Sequence, residues 1–314
     1  MSQSASAQCQ LGCTLITGGA GFIGAAFPSL LRNTTEVIAF DNLHPQIHAT
    51  GNLLEALDSR ATLVVGDVRS ASDWNRLLSN FTPKIGVHLA AETGIGQSLT
   101  ESTRYATVNV VGATQMLDGF RCSDVMPGGI VPTSSRAIYS EGAWQDTEVT
   151  SSYPGQRSFN LEAAIFQRQN LYGPGRSLIS SYIGIMSVFC RMAMAGKTVS
   201  LYEDGIVRRD FMLIDDVTRA VVAAAYVSAV PDLPLNIGLG TVHTVPDAAQ
   251  LISPDYSAPS PYVTEDYRLG DVRHLWVDNE RAKVKLDWTP QHDPAYGIHR
   301  FANWTNEQPD VQPA

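Results

Sequence analysis

The chain has 314 residues, 44% of them hydrophobic, with 22 Lys and Arg against 31 Asp and Glu for a formal charge of -9. That length and composition suffice for one large core or two unequal ones. The acidic balance argues against a nucleic-acid partner and against an anionic membrane surface, both of which are held chiefly by surplus Lys and Arg. Cys9, Cys13, Cys122 and Cys190 form no C-x-x-C pair and have no His spacing suited to zinc. No metal site is therefore expected, and reduced thiols point to the cytoplasm. The polar start Met-Ser-Gln-Ser-Ala-Ser-Ala-Gln lacks the pattern of a signal peptide, and no apolar run of about 18 residues suggests a membrane span.

In chain order, short β-branched runs at 14–16, 36–40, 62–65, 86–89 and 129–131 alternate with helical patterns. Such alternation predicts βαβ units and a mostly parallel sheet. The clearest helix is expected over 98–120, where Ala113, Met116, Leu117 and Phe120 repeat at the spacing of one buried face. A strand is expected near 164–167. Past Gly173-Pro174-Gly175 the pattern predicts a helix near 181–195, a strand near 199–202, a strand over 209–213 and a helix from Asp215. Pro254, Pro259 and Pro261 mark a loop, and 296–304 reads as a helix of a small C-terminal cap.

The first strand runs into Thr17-Gly18-Gly19-Ala20-Gly21-Phe22-Ile23-Gly24 and then into a helix. Strand, glycine turn and helix in that order suit a pyrophosphate: Gly18, Gly21 and Gly24 let the backbone approach, and the helix start offers free N–H groups. Asp41 ends the second strand about 20 residues on, where a carboxylate can accept from ribose hydroxyls and repel a 2′-phosphate. NAD is thus expected rather than NADP, with Asp67 of Gly66-Asp67-Val68 toward the adenine. Pro28 falls inside the helix that the loop opens, where it should interrupt bonding beyond the first turn. The fold class that follows is α/β, a Rossmann-type doubly wound parallel sheet with a smaller C-terminal substrate-binding α/β cap. The expected division is 1–168 for the NAD-binding domain, with returning segments at about 209–240, and 169–208 with 241–314 for the cap.

The motifs TGGAGFIG at 17–24, DNL at 41–43, HLAAETGIGQS at 88–98, TSSRAIY at 133–139, QNLYGPG at 169–175, RRDF at 208–211 and YRLGDVRH at 267–274 span most of the chain. By them it resembles the extended short-chain dehydrogenase/reductase family, and within it the nucleotide-sugar epimerases, closest in pattern to those acting on dTDP- or UDP-hexoses at carbon 4. The resemblance implies removal of hydride from carbon 4 of the sugar, turning of the ketone in the pocket and return of hydride to the other face, with NAD regenerated each cycle. It implies a cofactor wall of Phe22, Ile23, Asn42, Val68, Leu89, Ala90, Ala91, Asn109 and Ser134 in addition to the residues above. A homodimer is also implied.

For catalysis, Ser135 matches the family's hydroxyl, four residues before Tyr139. Related sugar dehydratases carry Asp-Glu at the next two positions; here they are Arg136 and Ala137, so no carboxylate is offered for elimination. Arg136 could contact an anionic sugar substituent or lie on the surface. The family's Tyr-x-x-x-Lys is not found. The approximate match is Tyr153-Pro154-Gly155-Gln156-Arg157, with Tyr153 as general base and Arg157 as the neighbouring cation, or else a loop tyrosine beside a Pro-Gly turn. Three readings stay open: an epimerase, a one-way dehydrogenase or reductase, and an NAD-binding relative without turnover. For the substrate, Arg209 and Arg268 match the arginines that grip a nucleotide diphosphate, though each has an acidic neighbour in sequence, and Asn170 matches a substrate-binding Asn. His88 is expected to be a packed, hydrogen-bonded core residue.

Overall fold

The computed structural model describes residues 12–27, 34–48, 57–135, 166–168, 170–178, 184–227, 234–267 and 274–308. Strands β1 (Gly12–Thr17), β2 (Thr34–Asp41), β3 (Ala61–Val65), β4 (Ile85–His88), β5 (Gly129–Ser135) and β6 (Phe166–Arg168) precede the short β7 (Asn170–Tyr172). After them come β8 (Ser200–Leu201), β9 (Arg208–Arg209), β10 (Phe211–Leu213) and β11 (Leu235–Ile237). The main sheet has the order β11-β6-β5-β4-β1-β2-β3, and every pairing in it is parallel. The order reverses between β1 and β4, which is where a doubly wound sheet opens its binding crevice. The Rossmann-type reading holds, and β11 brings later chain back to the sheet edge.

Alternation along the strands explains the two covered faces. Ile16, Val37 and Val131 face one way and pack with Phe27, Met212, Val217, Val221 and Trp288. Their neighbours Leu15, Ile38 and Ile130 face the other way, under Trp74, Leu77, Met116 and Phe120. The first face is covered by α8 (Ile214–Tyr226), the second by α3 (Ala71–Asn80) and α6 (Gly112–Cys122); the other described α-helices up to α8 are α1 (Phe22–Ala26), α2 (Pro45–His48), α4 (Ile95–Ser98), α5 (Ser102–Ala106) and α7 (Ile185–Met194). Trp74 is fully buried and donates its indole N–H to the Val68 carbonyl at 2.8 Å, which satisfies its one polar atom.

A third core holds Tyr172, Phe189, Phe211, Val245, Ile252 and Phe301 together. It joins α7 to α9 (Val245–Ile252) and, beyond α10 (Glu280–Leu286), to α11 (Pro294–Asn306). Residues 282–288 do not belong to it: Ala282, Leu286 and Trp288 pack in the first core, against α8.

The expected 98–120 helix is corrected. Leu99 and Thr100 form a turn between α4 and α5, and a π-helical turn at Thr107–Val111 joins α5 to α6. The side-chain amide of Asn109, inside that turn, accepts the Glu92 N–H at 2.8 Å and donates to the Glu92 carbonyl at 3.1 Å. Widening there re-aims one turn without ending the helix, a change that apolar spacing does not register. The expected strand over 209–213 divides at Asp210, whose buried carboxylate takes the Leu239 N–H at 2.9 and 3.1 Å. Arg208–Arg209 then pairs with β12 (His243–Thr244) and β14 (His274–Leu275), while β10 pairs with β7. The strand expected near 199–202 is only β8, paired with β13 (Tyr262–Val263), and the strand expected at 164–167 is observed as β6. Before β13, the proline-marked loop holds a 3₁₀ turn at Ser253–Tyr256. Helix α1 is described to Phe27, whose N–H still reaches the Ile23 carbonyl at 3.2 Å; Pro28 lies outside the described residues.

Candidate active site

A cleft of about 230 Å³ opens at the carboxyl ends of β1, β2, β3 and β4. Its floor is the glycine turn. Gly18 adopts φ +66°, and a Cβ there would stand 2.8 Å from the Ala90 nitrogen; a Cβ on Gly24 would stand 2.4 Å from the Gly18 carbonyl oxygen. Only glycine allows β1, the turn and α1 to close up this tightly. Gly21 differs, because a Cβ there would meet only the Gly18 oxygen at 3.2 Å. The start of α1 is therefore open to the cleft, and Phe22 and Ile23 line it as well.

Asp41 is 9% exposed at the end of β2. One carboxylate oxygen accepts the Ala20 N–H at 3.1 Å and the other the Leu43 N–H at 2.9 Å. The side chain thus ties the glycine turn to the β2 end while keeping spare lone pairs. His48 lies 3.7 Å from it. Asn42 donates to Asp67 at 3.4 Å, and Asp67 forms a bidentate pair with Arg69. The hydrogen bonds from Arg69 hold the Asp67 carboxyl below the usual carboxylate range. Val68 and the β4 end, Leu89, Ala90 and Ala91, complete the walls.

Behind the walls, His88 is buried with Nδ1 2.7 Å from the Thr17 hydroxyl, and burial holds its pKa down to about 4. It is the packed core residue that its strand position suggests. Arg104 clamps Glu92 through two nitrogens at 2.9 and 2.8 Å and also reaches Glu101 and Gln46.

Twelve of the sequence-derived cofactor residues come together here: Gly18, Gly21, Phe22, Ile23, Gly24, Asp41, Asn42, Asp67, Val68, Leu89, Ala90 and Ala91. Asn109 and Ser134 do not line the cleft; Asn109 spends its amide on the Glu92 backbone. Ser135 ends β5 opposite Arg168, with its side chain outside the described residues. Asn170 and Arg209 are placed near each other by the β7–β10 pairing, in which Asn170 faces Phe211. Among the described residues the buried Asn170 side-chain nitrogen has no hydrogen-bond partner, and Arg209 is 6% exposed. Arg136, Tyr153, Arg157 and Arg268 lie outside the described residues.

The lining groups not singled out by sequence include His48, Arg104 and Arg176. Arg176 belongs to the QNLYGPGRS stretch, but nothing in that spacing says that its side chain reaches back to Phe22.

Residues 14–157 and 150–238 match the NAD dependent epimerase/dehydratase family. The chain belongs to that family. It is 40% identical to a dTDP-L-rhamnose 4-epimerase of Burkholderia thailandensis, over 94% of this chain and 95% of that one. It is 29% identical to a UDP-glucose 4-epimerase of Mycolicibacterium smegmatis, over 91% and 96%. The fold is that of the Thermotoga maritima UDP-glucose 4-epimerase solved with UDP-glucose, with a TM-score of 0.83 at 24% identity, covering 94% of this chain and 99% of that one. The chain is accordingly an NAD-dependent enzyme of the nucleotide-sugar epimerase class. Among the described residues no helix is long and apolar enough to cross a membrane.

Proposed function

We propose that the enzyme interconverts the carbon-4 epimers of a dTDP-linked hexose. The observation that carries this reading is the 40% identity, over nearly the whole of both chains, to a relative named for that reaction. The cleft fits the cofactor: an open helix start, a glycine turn that admits no side chain at Gly18 or Gly24, and one buried carboxylate beyond it. In this reading the backbone of 18–24 holds the pyrophosphate, Asp41 and Asn42 the adenosine ribose, and Asp67 and Val68 the adenine. Leu89, Ala90 and Ala91 flank the nicotinamide half, Ser134 is assigned to it from the end of β5, beyond the cleft lining, and Asn109 supports that wall through Glu92. NAD supplies a reversible hydride acceptor.

The chain's own groups would handle the proton and the charge. Ser135 would donate to the reacting oxygen, and Tyr153 would take the proton of the carbon-4 hydroxyl and later return it. Arg157, always protonated, favours the tyrosinate. Arg209 and Arg268 suit the substrate diphosphate because a guanidinium meets phosphate oxygens in pairs. Asn170 supports this role with a buried side-chain nitrogen that no group among the described residues satisfies. Arg136 is assigned to an anionic substituent of the sugar.

A second reading is cofactor binding without turnover. It is favoured by the family match falling into two pieces that overlap at 150–157, the region where no Tyr-x-x-x-Lys is found. The alignment with the Burkholderia relative also runs over 346 positions, more than the 314 residues of this chain. Incubation with NAD and a panel of dTDP- and UDP-hexoses, followed by NMR, separates the two. Epimerisation gives the carbon-4 stereoisomer without net NADH; NAD binding with every sugar unchanged favours the second.

We further infer a homodimer built on the α4–α6 stretch, supported by Leu99, Val110 and Val111, which are 63%, 61% and 42% exposed. The free thiols of Cys13, Cys122 and Cys190 support a cytoplasmic setting. The division into 1–168 with 209–240, against 169–208 with 241–314, is supported by the separate third core, with 282–288 reaching back to the sheet.

A further inference from the structure

Each carboxylate lining the cleft is committed to a neighbour. Asp41 holds two backbone N–H groups, Asp67 holds Arg69, and Glu92 holds Arg104. Arg176 has no such partner: among the described residues its guanidinium makes no ion pair or side-chain hydrogen bond. It sits 5.1 Å above the Phe22 ring, at the start of α1 and in the lining of the cleft. A Cβ on Gly184 would lie 3.5 Å from one of its nitrogens. Gly184 is the N-cap of the ten-residue α7, which carries neither a side-chain cap nor an acidic residue in its first turn.

An arginine is unfavourable beside the positive end of a helix dipole. Burial also pulls the Arg176 pKa below the ordinary arginine value. Two positive features thus converge beside the open glycine turn, and among the described residues no protein anion lies between them. The Arg176 N–H bonds the Gly173 carbonyl at 3.2 Å, so the side chain projects from a tight turn and is pre-placed.

We propose that Arg176 binds the pyrophosphate of the dinucleotide from the side opposite the glycine turn. This rests on the reading of the cleft as the NAD site. The role is that of a positioning residue: an occupied site would hold the Gly173–Leu178 segment and the start of α7 against α1, so that the cofactor joins the sheet to the third core.

The test is calorimetric titration of wild type, Arg176→Gln and Arg176→Lys with NAD, adenosine and dTDP at low and high salt. Loss of one charge-assisted hydrogen bond should weaken NAD binding by Arg176→Gln about ten- to hundredfold. The Lys variant should retain part of the affinity, and the salt dependence of NAD binding should be shallower in the Gln variant. Adenosine and dTDP should each bind within about twofold of wild type. Unchanged NAD affinity in Arg176→Gln would overturn the proposal. A fall for dTDP but not NAD would assign the residue to the substrate diphosphate instead. An equal fall for adenosine would make Arg176 a structural residue. Failure of the wild type to bind NAD would refute the underlying reading of the cleft, a result distinct from all of these.

Discussion

His88 should make the cleft acid-sensitive. Thr17 Oγ1 already accepts the Ala90 N–H at 3.3 Å, so its own O–H is free to donate to Nδ1 of a neutral imidazole at 2.7 Å. Protonation would bring a second N–H toward the same oxygen in a site without solvent. The unfolded histidine takes up its proton near 6.5 and the folded one only near 4. Between those values the unfolded chain binds more protons, so the His88 contribution is fully present above about pH 6.5 and is lost as pH falls toward 4. At about 1.4 kcal/mol per pH unit of separation, about 2–3 kcal/mol should disappear between about pH 7 and about pH 4.5. Urea unfolding followed by tryptophan fluorescence across that range measures it, with His88→Gln as the reference that keeps an acceptor but does not titrate. Because Ala90 lines the cleft, NAD affinity should decline in the same window for the wild type alone. Parallel pH slopes in the two proteins would refute the reasoning.

Three other outcomes are expected. Gly24→Ala forces a methyl to within 2.4 Å of the Gly18 oxygen; it should lower stability by about 1–3 kcal/mol in denaturant titrations and NAD affinity by at least about tenfold. Asp41→Asn turns an amide N–H toward either the Ala20 or the Leu43 N–H and removes the charge that disfavours a 2′-phosphate. Binding titrations should show NAD weakened by about ten- to hundredfold and the preference over NADP narrowed. Val110→Asp, on an exposed apolar position, should shift sedimentation toward the monomer with little change in melting temperature.

The glycine turn, Asp41 and Asp67 were legible in the sequence because each answers a local demand: positive φ, close backbone approach, or a carboxylate just past a strand. Met116 and Phe120 were legible for a similar reason, since helix period alone puts them on the face that meets Trp74. What was not legible depends on contacts across the fold. The π-helical turn coincides with Asn109 reaching Glu92, 17 residues away, and the division of 208–213 turns on Asp210 finding the Leu239 N–H. The family resemblance put Asn109 in the cofactor wall, yet its amide bonds the Glu92 backbone through both its oxygen and its nitrogen. Arg176 is the converse case, a residue in a visible motif whose side chain matters only because α1 and α7 start beside it.

These contrasts also locate the choice of reaction. The same fold carries relatives named as epimerases and as dehydratases, including a dTDP-glucose 4,6-dehydratase of Shigella flexneri at 24% identity. As the proposed NAD site, a cleft built from backbone and one buried carboxylate would be indifferent to what happens at the sugar. Elimination of water needs a base for one proton and an acid for the departing hydroxyl. At the two positions after Ser135 this chain offers a permanently charged guanidinium and a methyl, Arg136 and Ala137. Neither can exchange a proton near neutral pH, whereas epimerisation asks only for one group that takes and returns the carbon-4 hydroxyl proton. The epimerase reading therefore rests on the likeness to a named 4-epimerase and on the residue types that follow Ser135 in the sequence, and the cofactor cleft alone would not have made it.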